Sequence, residues 1–88
     1  MVSKNVTIVN PSGLHARPAT AFVEKAKTFK CNVSIKRTKE MRTVNGKSVI
    51  MLMAGGYKKG DEIAIVCDGE DEQVACDELV ALLLSFTE

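Results

Sequence analysis

Apolar and polar positions alternate in several short stretches of the chain, and each alternation predicts a β-strand. Asn5–Asn10 is short, rich in β-branched residues and bounded by polar ones. Asn32–Arg37 alternates apolar with polar residues, and Glu62–Cys67 is the most apolar stretch, so it is expected to be central in its sheet. This period of two is typical of strands with one buried face. A short return strand is predicted at Met41–Val44.

Helical spacing of apolar residues appears in further segments. From Ala16 to about Phe29 they recur every three to four positions. Pro18 fits only in a first helical turn, where its missing N–H costs nothing, so the helix should start near His15 or Ala16. The apolar cluster Val49–Met53 is too short for a long helix and is expected to form one or two turns.

A last helix is expected to begin among carboxylates, because the helix dipole favours negative charge at that end. These carboxylates are Asp68, Glu70, Asp71 and Glu72. Its predicted apolar face consists of Ala75, Leu79, Leu82, Leu83 and Phe86. The complete order, βαββαβα, predicts an α+β fold: an open-faced two-layer sandwich in which helices cover one face of a four-stranded antiparallel sheet.

Composition narrows the classes of function. We expect the 88 residues to form a single domain, residues 1–88, with one modest core and no deep catalytic cleft. A formal net charge of +1 argues against a general polyanion binder. No apolar run reaches the roughly 18 residues of a membrane span, and the N-terminus lacks a signal-peptide core. We therefore expect a cytoplasmic protein that has no membrane partner.

The three cysteines do not form a recognisable site in the sequence. Cys31, Cys67 and Cys76 are odd in number, widely spaced and without a Cys-x-x-Cys pair. This pattern argues against a disulfide framework and against any standard zinc site. We expect small buried residues in a reducing compartment.

The only histidine, His15, lies where a turn gives way to a helix. A lone imidazole cannot build a metal site or a conventional catalytic triad, but at a helix start it can carry an anion. Unpaired N–H groups and the helix dipole favour negative charge there. Arg17 adds forked donors suited to phosphate. The local pattern is compatible with a phosphorylatable histidine and equally with an exposed cap or turn residue.

Three motifs resemble those of a known family. Gly13–Ala19, with the sequence Gly-Leu-His-Ala-Arg-Pro-Ala, resembles the active-site signature of HPr, the histidine-containing phosphocarrier of the bacterial phosphoenolpyruvate:sugar phosphotransferase system. Lys47–Met51 resembles the regulatory serine region of its Gram-positive branch, and Gly69–Glu72 resembles the start of its last helix. The motifs follow the family order over essentially the whole chain.

The resemblance implies a carrier rather than an enzyme. His15 would accept a phosphoryl group on Nδ1 from phosphorylated Enzyme I and pass it to sugar-specific Enzyme IIA domains. Arg17 would stabilise the phosphate, and the backbone amides of Ala16 and Arg17 would bind it. No cofactor and no metal are implied, and we expect a monomer.

Ser48 has two compatible interpretations. As the N-cap of the short helix it would contribute roughly 1 kcal/mol. The resemblance also implies that HPr kinase/phosphorylase modifies it and that the phosphoserine form is a corepressor for a catabolite control transcription regulator. A phosphate at a helix N-terminus is tolerated, so modification should impair transfer to His15 through electrostatics and lost docking rather than refolding.

The short helix cannot bury an apolar cluster on every side, so part of it is expected to be exposed for partners. The predicted docking residues are Ala16, Ala19, Thr20, Val49, Ile50 and Met53. The chain departs from the family in a longer turn between Arg37 and Met41, in Met51 where a small residue is common, and in a Gly-Gly-Tyr segment at 55–57.

Two alternatives belong to other classes of function. One is a regulatory HPr-like protein that acts mainly through phosphorylated Ser48; His15 argues against it, since variants of that kind lack the active histidine. The other is a nucleic-acid-binding module, suggested by a basic run that more often forms a solvated hairpin face. The run consists of Lys36, Arg37, Lys39, Arg42 and Lys47. Since interleaved aromatic residues are missing, no nucleic-acid partner is expected.

Overall fold

The computed structural model describes residues 1–87 and has the predicted order of elements. They are β1 (Val2–Thr7), α1 (Arg17–Ala26), β2 (Asn32–Arg37), β3 (Val44–Asn45), α2 (Val49–Ala54), β4 (Glu62–Asp68) and α3 (Glu72–Ser85). The sheet order is β1-β4-β2-β3, and all neighbouring strands are antiparallel. The helices pack on one face, so the predicted open-faced sandwich is confirmed.

The core lies between the sheet and the helices. Ile63, Ile65 and Cys67 of β4 are fully buried, and β4 pairs with β1 on one side and β2 on the other. The predicted central place of this strand is therefore confirmed. Phe22 of α1 and Leu79 of α3 are also fully buried and belong to the same cluster. Within residues 1–87, no helix is both long and apolar enough to cross a membrane.

The prediction for β1 was displaced toward the C-terminus. The strand ends at Thr7, because its register with β4 runs from Val2 opposite Cys67 to Thr7 opposite Glu62. Ile8 still exchanges backbone hydrogen bonds with the turn that precedes β4, and the chain then leaves the sheet. The pairing partner thus decided the boundary, while the local composition favoured a later start.

The return strand after β2 was predicted too long. Only Val44 and Asn45 pair with β2, and Met41 is 92% exposed. The turn between β2 and β3 is held by local hydrogen bonds. Glu40 N–H donates to the carbonyl of Arg37 (3.0 Å), and Lys36 Nζ donates to the carbonyl of Glu40 (3.0 Å). These bonds take the place of strand pairing in this turn.

Two helix predictions also require correction. α1 ends at Ala26, because the amides of Thr28 and Phe29 bond three residues back rather than four. In α3, Glu72 is the only acidic residue within the first turn, and Asp68 belongs to β4. On its predicted apolar face three residues are buried, Leu82 and Phe86 are half-buried, and the unpredicted Cys76 is buried as well.

Candidate functional site

The segment before His15 is a tightly closed turn. Gly13 N–H donates to the carbonyl of Asn10 (3.2 Å), and Asn10 Nδ2 donates back to the carbonyl of Gly13 (2.9 Å). Asn10 is 1% exposed. The prediction that Asn10 ends a strand is therefore wrong. The sequence Asn-Pro-Ser-Gly matches the residue preferences of a type I turn, and this local signal predicts the observed role of Asn10. Ser12 is an exposed residue of this turn.

The next residues are fixed against a distant part of the chain. Leu14 N–H donates to the carbonyl of Tyr57 (3.1 Å), and the Leu14 side chain is buried. Gly13 has φ of +62°, and a Cβ built there would lie 2.4 Å from the Tyr57 carbonyl oxygen. Only glycine allows this conformation and this approach. His15 follows directly and is exposed.

α1 begins one residue beyond the predicted start. Ala16 is its N-cap, with φ 54° and ψ −124°, an uncommon conformation for a residue with a Cβ. Both the N–H and Oγ1 of Thr20 donate to the carbonyl of Ala16 (3.1 and 3.2 Å). Arg17 is the exposed first helical residue, and Pro18 is buried in the first turn, as predicted.

These residues form an exposed, cationic helix start. The amides of Ala16 and Arg17 lie at the positive end of α1, and His15 directly precedes them in the chain. Such an arrangement is suited to a small, doubly charged anion held from one side, with the other side open to a partner. The geometry is therefore compatible with a phosphoryl group on His15.

Ser48 is the N-cap of α2, as predicted. Its Oγ accepts a hydrogen bond from the Met51 N–H (3.2 Å), and its carbonyl accepts one from Leu52 N–H (3.0 Å). The residue is half-buried. α2 contacts α1, so the helix that begins at Ser48 and the helix that follows His15 are neighbours.

The docking predictions are only partly compatible with the observed exposure. Ile50 is 82% exposed, and Met53 and Thr20 are also on the surface, so they can contact a partner. The prediction for Ala19 is wrong: it is fully buried, because it lies on the face of α1 that packs into the core. Val49 is half-buried against that core, and Met51, which was not predicted, is 42% exposed.

Side-chain clusters elsewhere offer no metal site in the described part of the chain. Cys31, Cys67 and Cys76 are all free and buried, as expected. Burial raises the pKa of all three thiols, that of Cys67 to about 12. They are therefore poor nucleophiles in the folded protein.

Several members of the basic run bind acceptors within the protein. Lys47 Nζ donates to the carbonyl of Phe29 (2.8 Å), and Arg37 donates to the carbonyl of Gly56 (2.7 Å) and to Asp61 (3.1 Å). The Arg37 guanidinium also stacks over the ring of Tyr57, 4.7 Å from its centroid. These side chains contribute to the fold, which weakens the nucleic-acid interpretation.

Comparison with known proteins extends the likeness to the whole chain. Residues 2–85 match the family model described as the PTS HPr component phosphorylation site. The phosphocarrier protein HPr of Borreliella burgdorferi is 39% identical over 88 residues, all of both chains. An HPr crystal structure from Thermoanaerobacter tengcongensis superposes with a TM-score of 0.90 at 34% identity, covering 97% of this chain and 93% of that one.

A third relative is named for catabolite repression. The crystal structure of Crh, the catabolite repression HPr of Bacillus subtilis, superposes with a TM-score of 0.75 at 34% identity and covers 100% of this chain and 99% of that one. That protein is described as an intertwined dimer with a swapping domain. The likeness to both kinds of relative spans the fold and is not confined to the segment around His15.

Proposed function

This chain belongs to the HPr family of the phosphotransferase system, and we propose that it carries a phosphoryl group on His15. The exposed position of His15 directly ahead of α1 is the observation on which the proposal depends. A bond forms between Nδ1 and phosphorus as the bond to Enzyme I breaks. The group then leaves to a sugar-specific Enzyme IIA domain, and the imidazole is regenerated.

Phosphoryl transfer needs mainly in-line positioning and stabilisation of charge. The start of α1 can supply the second requirement through the amides of Ala16 and Arg17 and through the Arg17 guanidinium. The open side of His15 leaves the first requirement to the partner. In this proposal the protein is a covalent carrier that acts only with partner enzymes, without a cofactor or metal of its own.

We further propose that Ser48 is the target of HPr kinase/phosphorylase. A phosphate on Oγ would lie at the start of α2, where the Met51 amide already donates to that oxygen. It would place about two negative charges beside the exposed Ile50 and Met53. This change would weaken apolar docking of the transfer partners and create a surface for a catabolite control transcription regulator.

The second candidate function is a mainly regulatory role of the Crh type. The similarity to Crh and the capping position of Ser48 favour it. The presence of His15 favours the carrier, so phosphorylation chemistry at the two residues separates the two functions. We propose the cytoplasm as the location and a monomer as the working state; a dimer in light scattering would overturn the latter.

The central test incubates the protein with phosphoenolpyruvate and Enzyme I and measures its intact mass. We expect a gain of one phosphoryl group that is lost in acid, absent from His15→Ala and present in Ser48→Ala. Incubation with HPr kinase/phosphorylase and ATP should give an acid-stable gain that is absent only from Ser48→Ala. If a competent Enzyme I produces no acid-labile gain, the carrier function is wrong.

A further inference from the structure

Arg37 fixes the segment Gly56–Lys58 from two sides. Its Nη2 donates to the carbonyl of Gly56 (2.7 Å), and its Nε donates to Asp61 Oδ2 (3.1 Å). The same Asp61 oxygen accepts the Lys58 N–H (3.1 Å). The residues before and after Tyr57 are thus tied, directly and through Asp61, to one guanidinium.

The Tyr57 side chain is held as firmly as its neighbours. Its ring lies under the Arg37 guanidinium at 4.7 Å and against Gly55, where a Cβ would come within 2.5 Å of the ring. Its hydroxyl donates to the carbonyl of Ile35 (3.4 Å), and the residue is 4% exposed. A cation stacked on an aromatic ring is attracted to the face of that ring, so this contact also holds the ring in place.

The carbonyl oxygen of Tyr57 points at the segment before His15. It accepts the Leu14 N–H (3.1 Å), and a Cβ on Gly13 would lie 2.4 Å from this oxygen and 2.7 Å from the Cα of Lys58. The strained φ of Ala16 follows one residue after His15. Strain of this kind persists only where the flanking residues are over-determined. The chain before Ala16 is fixed by the bond between Leu14 and Tyr57, and the chain after Ala16 is fixed by α1.

We infer that Arg37 and Tyr57 are positioning residues for His15. They hold the Tyr57 carbonyl, which holds Leu14, which in turn sets the imidazole and the Ala16 amide in the geometry that transfer requires. The inference rests on the proposed role of His15 in phosphoryl transfer. Loss of the stack would let the segment relax, and displacements of about 1 Å can slow a reaction up to 100-fold.

The test uses variants with matched controls. Arg37→Met removes the stack and one charge, and Lys39→Met removes one charge from an exposed residue of the same turn. Arg37→Lys keeps the charge and provides a folded variant if Arg37→Met is too unstable. Tyr57→Leu removes the ring, while Tyr57→Phe keeps it and loses only the long hydroxyl bond.

The first measurement is the NMR spectrum, which does not depend on phosphorylation. Arg37→Lys, Arg37→Met and Tyr57→Leu should shift the resonances of the Ala16 amide and the His15 imidazole. Tyr57→Phe and the control Lys39→Met should leave these resonances at the positions of the unaltered protein. The second measurement is phosphoryl transfer from Enzyme I. In Arg37→Lys, Arg37→Met and Tyr57→Leu we expect kcat to fall by roughly 10- to 100-fold while KM is unchanged.

Two outcomes would overturn the inference. One is wild-type Ala16 and His15 resonances in the Arg37 and Tyr57→Leu variants; the other is an equal shift in Lys39→Met. If the unaltered protein accepts no phosphate, the proposed function fails, but the resonances still decide whether Arg37 and Tyr57 position His15. The two failures are therefore distinguishable.

Discussion

At the scale of single residues, the site depends on how closely the backbone of Gly13 approaches that of Tyr57. Local signals predicted the Ser48 cap and the positions of His15 and Arg17 close to the start of α1, because these features depend on residues next to them in sequence. The role of Tyr57 was not predictable in this way. It acts through a backbone carbonyl, which every residue has, and on a segment more than forty positions away.

Replacement of Gly13 by alanine tests this close approach. Gly13→Ala combines a positive φ with a Cβ 2.4 Å from the Tyr57 oxygen, whereas Gly60→Ala has a positive φ and open space around the Cβ. Both variants should lose about 1–3 kcal/mol from backbone strain. Gly13→Ala should lose a further 1–3 kcal/mol or so from overpacking. Urea unfolding provides the comparison, and equal midpoints would contradict the expectation.

At the scale of elements, boundaries were harder to predict than the elements themselves. β2 was predicted with its observed bounds, because its alternation coincides with its pairing to β4. The predicted position of β1 was displaced, because pairing with β4 sets the ends of this strand. The predicted β3 was too long, because a hydrogen-bonded turn occupies the residues before Val44. Tertiary pairing decided these positions, and local composition carries little information about it.

The capping bond of Ser48 should stabilise α2 locally. Ser48→Ala removes the acceptor of the Met51 amide and should cost about 1 kcal/mol, whereas Ser48→Asp keeps an acceptor and should cost less. Hydrogen exchange of the Met51 amide is the direct measurement, and it should be faster in Ser48→Ala only. Ser12→Ala, an exposed serine in a turn, is the control; unchanged exchange in Ser48→Ala would refute the cap.

Asp71 joins the start of α3 to the segment that precedes β2. The backbone N–H groups of Lys30 (2.8 Å) and Cys31 (2.9 Å) donate to its carboxylate and lower its pKa. A lowered folded-state pKa means that this stabilisation is complete above the unfolded value of about 3.9 and is lost as pH falls through the folded one. The contribution of Asp71 to stability is therefore present at neutral pH and is lost only in acid.

Comparison of Asp71→Asn with the unaltered protein should show this dependence. The difference in free energy of unfolding should be constant near neutral pH and shrink below about pH 4, where the unfolded carboxylate takes up a proton that the native one binds only at lower pH. Glu70→Gln removes a neighbouring exposed carboxylate and controls for net charge. A difference that grows toward acidic pH would contradict the assigned sign.

At the scale of the whole molecule, the reactivity of the three cysteine thiols measures whether the hydrophobic core unfolds as one unit. Cys31 precedes β2, Cys67 lies in β4 and Cys76 lies in α3, and each is at most 1% exposed. Because burial raises the pKa of all three thiols, a disulfide reagent finds little thiolate in the native state. Each thiol must become exposed by an opening of the structure before it can react.

Since the three thiols belong to one hydrophobic cluster, we expect them to react together. With an aromatic disulfide reagent in increasing urea, modification should follow global unfolding, and mass spectrometry should find unlabelled and triply labelled chains with few intermediates. Gly13→Ala should react faster by the same factor by which its unfolding equilibrium constant rises, as expected when the open population controls labelling. Early labelling of Cys31 alone would instead identify local opening next to Asp71, and the core would then not open as one cooperative unit.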